Sequence, residues 1–127
     1  MGYEVPVFNI TLVAGADLSN SQYLAVKVDA NGKAALAGAG EDAVGVLQNV
    51  PKAGEAATVM VLGITKAIYG ATVTAGDKVM VDASGKFIPY AAPGAGETNH
   101  VIGKALTSGA ANEEGTVLLI TKPFVSA

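Results

Sequence analysis

Val28-Asp29-Ala30-Asn31-Gly32-Lys33 returns as Val81-Asp82-Ala83-Ser84-Gly85-Lys86, 53 positions further along the chain. Gly38-Ala39-Gly40-Glu41 matches Gly94-Ala95-Gly96-Glu97 at an offset of 56. Val44-Gly45 matches Ile102-Gly103, and Thr58-Val59-Met60-Val61 matches Thr116-Val117-Leu118-Leu119, both at 58. An offset that grows in small steps is what loop insertions do to a duplicated unit. Each unit consists of short apolar runs with Val and Thr, separated by Gly-containing turns, which is a strand pattern. Two units are too few for a solenoid, which needs about three. They predict an all-β fold: one small β-barrel or sandwich, built from two similar strand-rich units with an internal pseudo-twofold. The units span about 23–62 and 76–121, inside a single β-domain covering 21–127.

Between the turns, the apolar runs predict strands over Tyr23–Val28, Lys33–Leu36, Val44–Leu47, Ala57–Leu62, Ile64–Tyr69, Lys78–Val81, Lys86–Ile88, Val101–Leu106 and Thr116–Thr121. Asn31-Gly32 is a two-residue hairpin signal, because both residue types tolerate positive φ. Pro89–Asn99 is a longer Gly- and Pro-rich loop that absorbs most of the inserted length. Ala-rich stretches at 34–44 and 105–111 could each hold one helical turn. Residues 1–20 stand outside the matched repeat. There Tyr3, Val5, Val7, Ile10 and Leu12 partly alternate, and Pro6 cannot donate to a ladder, so the segment is an edge strand or an extended arm. It either folds back on its own sheet or adds a strand to a partner's sheet.

Composition narrows the function. At 127 residues the chain can bury a core without disulfide or metal support. It has no cysteine, which excludes thiol catalysis and thiolate metal sites. All eight basic residues are scattered lysines and the net charge is −3, so no guanidinium-lined face for nucleic acid is present. No apolar run approaches the ~20 residues of a spanning helix, and the N-terminus lacks a signal-peptide pattern. Synthesis in a cytosol without export is the expectation.

A search for chemistry returns turns and solvated charge. His100 is the one histidine and sits at the end of the long loop, without a ligand cluster at metal spacing. Asp29 and Asp82 precede equivalent tight turns, where Asx-type bonds to the backbone explain them; a calcium loop would carry more oxygen donors. Glu41-Asp42 and Glu113-Glu114 are neighbours in loops, not carboxylates facing across a cleft. Gly-Ala-Gly-Glu lacks the third glycine or the Gly-Lys-Ser/Thr of a phosphate cradle. No catalytic, cofactor-binding or metal-binding constellation emerges, so no enzyme and no cofactor is expected.

Several runs resemble those of one family. Tyr23-Leu-Ala-Val-Lys-Val-Asp-Ala-Asn-Gly-Lys33, Ala43-Val-Gly-Val-Leu-Gln-Asn-Val-Pro51, Ala53-Gly-Glu-Ala-Ala-Thr58 and Ala75-Gly-Asp-Lys-Val79 are similar to stretches of capsid decoration, or cement, proteins of tailed bacteriophages. The similarity covers about residues 20–121 and rests on turn-and-strand patterns. The resemblance implies a structural virion protein, made in the host cytoplasm, that binds the exterior of the expanded head and stabilises contacts between capsid subunits. It implies a homo-trimer whose partner is the major capsid protein, with neither nucleic acid nor membrane involved. Tyr3, Val5, Val7, Phe8, Ile10 and Leu12 would then be the capsid-binding arm. A surface module recognising host glycans through the 89–99 loop, Tyr90 and His100 is the competing expectation, although the chain is poor in aromatic platforms.

Overall fold

The computed structural model describes residues 4–92, 94, 95, 98–119, 125 and 126, and they form strands and turns without a helix. The strands are β1 (Val5–Val13), β2 (Ala25–Val28), β3 (Ala34–Leu36), β4 (Gly45–Leu47), β5 (Ala56–Ile68), β6 (Lys78–Val81), β7 (Phe87–Pro89), β8 (Thr98–Asn99), β9 (Gly103–Ala105), β10 (Glu114–Leu119) and β11 (Val125–Ser126). Nine of them make one antiparallel sheet in the order β3-β2-β4-β5-β10-β9-β6-β7, with β1 also paired to β5. The sheet curls into a barrel-like shape. Parallel bridges from Ala14 to Ala34 and from Tyr69 to Phe87 bring β3 and β7 back towards β1 and β5.

The same pairing diagram occurs twice. Val26↔Leu36 and Val28↔Ala34 recur as Val79↔Pro89 and Val81↔Phe87. Val26↔Gly45 recurs as Val79↔Gly103, and Leu47↔Val59 as Ala105↔Val117. The correspondence extends past the segment matched in sequence. Leu12↔Ala57 recurs as Ala67↔Gly115, so β1 is the counterpart of the second part of β5. Its side chains differ too much from those of β5 for residue matching to find it.

Three expectations are corrected. The runs before and after Gly63 are one 13-residue strand, not two. Gly63 takes φ +120°, and a Cβ there would lie 2.5 Å from the Val5 carbonyl oxygen, so only glycine lets β5 continue where β1 lies against it. The hairpin turns have three loop residues, not two. Gly32 N–H donates to the Asp29 carbonyl (2.9 Å) and positive φ falls on Gly32 but not on Asn31, giving a type I turn closed by a left-handed residue. Within the 89–99 stretch, Pro89 ends β7, and Thr98–Asn99 pair with Val125–Ser126 near the C-terminus.

The two halves fill their interiors by opposite distributions of volume. The first contains Ala14, Ala34 and Ala57 beside Leu12, Leu18 and Leu47. At the corresponding places the second has Tyr69 and Phe87 with Ala67, Val73 and Ala105. Gly115 completes the exchange, since a Cβ on it would strike the Tyr69 ring. The phenol donates to the Thr107 carbonyl oxygen (2.7 Å), which meets the need of a buried hydroxyl. Gly115→Ala should lower stability in urea unfolding by about 1–3 kcal/mol through overpacking. Tyr69→Ala should lower it by about 3–5 kcal/mol, and the double variant by clearly less than the sum, because the new methyl enters vacated space. Strict additivity would show that the two positions do not compete for one volume.

Candidate interaction surface

β1 is an edge strand. Among the described residues Val5–Val13 pair with β5 alone, and β3 comes alongside only past their end, where Ala14 bridges Ala34. Register shifts at Pro6/Phe8 and Phe8/Asn9 mark bulges, and Pro6 removes one donor; both devices blunt an exposed edge. The side chains divide into two groups. Ile10 and Leu12 are half-buried and pack against the core of the first half. Val5, Val7, Phe8 and Val13 are 49%, 69%, 54% and 46% exposed. Tyr3 lies outside the described residues. The expected arm residues from Val5 to Leu12 therefore belong to one strand, but of these Val5, Val7 and Phe8 present apolar side chains to solvent while Ile10 and Leu12 turn to the core. That split is set by the register on β5, which residue types alone do not give.

Asp29, Asp82, Glu41, Glu113 and His100 are engaged in holding loops, and Glu114 opens β10. Asp29 Oδ1 accepts from the backbone N–H of Asn31 and Lys33 (both 2.9 Å), and Asp82 Oδ1 from Ser84 and Lys86 (2.8 and 3.0 Å). Glu113 accepts from the Ala110 N–H (2.7 Å), as Glu55 does from Lys52 at the matching turn (2.7 Å). The His100 ring lies 3.0 Å from the Gly40 carbonyl oxygen through Nδ1. Among the described residues no three acidic or imidazole groups gather to hold a metal. Among the described residues no helix is long and apolar enough to cross a membrane.

Glu41 combines a backbone hydrogen bond with an ion pair. It accepts from Gly38 N–H (2.6 Å) and pairs with Lys27 Nζ (3.0 Å). The Gly38 hydrogen bond, and after it the Lys27 ammonium, hold its pKa below the ordinary 4.5.

Comparison with known proteins places this surface in context. Residues 5–120 match the family of phage cement proteins, and the chain belongs to that family. Among solved structures, the head fiber gp8.5 N base of bacteriophage phi29 is similar in fold, with a TM-score of 0.67 at 17% identity. The match covers 89% of this chain and 93% of that one. No curated protein matches. The protein is a structural protein of the phage head, and its all-β barrel-like fold is the one that the resemblance implies.

One titration follows from the loop geometry. Because the folded pKa of Glu41 lies below the unfolded one, its contribution is complete above about pH 4.5 and is lost as pH falls through the folded value. Glu41→Gln should be less stable than the parent at neutral pH, with the two urea midpoints converging in acid. A gap that stays constant with pH would show that the carboxylate charge has no part in it.

Proposed function

We propose that this protein binds the outer surface of the expanded phage head and ties together neighbouring subunits of the shell. The major capsid protein is its partner and three copies act together as a homo-trimer. The chain is made in the host cytoplasm and joins the capsid exterior. The observation that carries this reading is β1, a strand with one open edge and exposed Val5, Val7 and Phe8, in a chain of the phage cement family. An open edge offers directional hydrogen bonds to a strand of the shell, and the exposed apolar side chains give area for burial. Many identical copies on one shell turn a modest single contact into tight retention.

The position of β1 also fixes how the reading is tested. Ile10 and Leu12 are part of the core packing, so removing the whole arm would confuse binding with folding. Val7→Asp with Phe8→Ser changes exposed positions only. Co-sedimentation with expanded and unexpanded empty shells is the measurement. The parent protein should pellet saturably with expanded shells, and the double variant should bind about tenfold or more weakly while keeping the parent's circular dichroism. Equal pelleting of the two proteins would remove β1 from the contact. No pelleting of the parent with either shell would overturn the function.

A further inference from the structure

One row of side chains crosses the outer face of the sheet and ends on the strand proposed to meet the shell. Lys78 stands opposite Lys104, Lys104 opposite Leu118, Leu118 opposite Ile64, and Ile64 opposite Val5. Directly opposed residues of antiparallel strands project to the same side, so these five share one face. The other face is the interior, since the alternating positions Val79, Ala105, Val117 and Thr65 are buried. Along the row Lys78 and Lys104 are exposed, Leu118 and Ile64 are half-buried, and Val5 is 49% exposed. Phe8 opposite Leu62 adds a second apolar pair at the β1 end.

The row lies within reach of any contact seated on β1. Neighbouring strands are about 4.8 Å apart, so Lys104 stands about 14 Å from Val5 and Lys78 about 19 Å. A stable contact of ordinary size covers about 800 Å² of each partner, a disc of about 16 Å radius. Val5, Val7 and Phe8 are too few to fill such a disc. One centred on them spreads across Ile64 and Leu118 to Lys104, and the length of the Lys78 side chain brings its ammonium to the rim.

At its far end the row carries like charges that the chain itself does not offset. Lysines directly opposite each other disfavour the sheet. Among the described residues the one ion pair is Lys27 with Glu41. Asp77 adjoins Lys78, but its carboxylate accepts the Thr74 N–H (3.0 Å). Glu114 shares the face with Leu118 but lies four residues away along β10, about 13 Å. Other lysines have partners within the chain: Lys66 lies over the Tyr23 ring, and Lys86 donates to Asn112 Oδ1 (2.6 Å). In a chain of net charge −3, two opposed lysines without a carboxylate favour one supplied from outside.

We infer that the shell subunit meeting β1 also covers this face, setting a carboxylate between Lys78 and Lys104 and apolar side chains over Leu118, Ile64 and Val5. The inference rests on the function proposed above and adds the chemistry of the partner surface, acidic at one end and apolar at the other. The apolar end contributes area. The charged end fixes the orientation of docking and speeds encounter, and it makes binding weaken as salt screens it.

Co-sedimentation with expanded empty shells over a salt series is the test. The parent should bind less tightly as salt rises. Lys78→Glu with Lys104→Glu leaves Val5, Val7 and Phe8 in place and should bind about tenfold or more weakly. Lys78→Gln with Lys104→Gln should flatten the salt dependence. Lys104→Glu alone sets opposite charges across from Lys78, so the thermal midpoint of the free protein should be unchanged or raised while shell binding falls. That contrast separates lost binding from lost folding. A carbodiimide, which condenses an amine and a touching carboxylate into an amide, should join Lys78 or Lys104 to the major capsid protein. Parent and both double variants pelleting alike at every salt would overturn the inference while leaving shell binding standing. Amide links from these lysines to another copy of this chain would assign the face to self-association and overturn it too. A parent that pellets with neither expanded nor unexpanded shells would overturn both readings.

Discussion

β5 serves both halves of the molecule at once, and the rest of the architecture depends on that sharing. Its first part pairs with β1 on one side and β4 on the other; its second part pairs with β10. One continuous ladder thereby fixes how the two halves face each other, without a linker to let them drift. At Gly63 the backbone of β1 occupies the space a side chain would need. Counterpart strands accordingly run in reverse order on the two sides of the β5–β10 ladder, β3-β2-β4 on one and β9-β6-β7 on the other.

The same constraint explains why the halves could diverge in residues while keeping one pairing diagram. The ladder is made by backbone groups, which are indifferent to side-chain size. Inside each half the requirement is total volume, so Tyr69 with Gly115 can stand where Ala14 and Ala57 stand in the other half. The hairpin aspartates are a different case. Asp29 and Asp82 accept the same two backbone N–H groups at the same spacing, a demand no other pair of side chains in the turn meets. They stay alike because the turn geometry is alike.

Much of the surface chemistry was legible from residue types. Carboxylates next to turns act as backbone acceptors in the loops, since a short acidic side chain two to four residues from free N–H groups finds them locally. The apolar character of the N-terminal segment was equally plain. Its division was not: Phe8 and Ile10 are similar in kind, yet one is mostly exposed and the other packs on the core. The cause is the pair of bulges near Phe8, which depend on what β1 meets across the ladder. The opposition of Lys78 to Lys104 is likewise a matter of register, between residues far apart in the chain.

The sequence by itself determined the all-β class, the twofold repetition of strands and turns, and the absence of residue groups suited to thiol chemistry. These depend on local preferences: β-branched residues for extended backbone, glycine for left-handed turn positions, aspartate for turn amides. Tertiary structure alone decided that two apparent strands are one, that β1 answers to the second part of β5, and which apolar side chains of β1 are left exposed. Each of those outcomes depends on pairings between distant segments. A strand's residues state that it will pair, but its partner and register are fixed only when the whole sheet assembles.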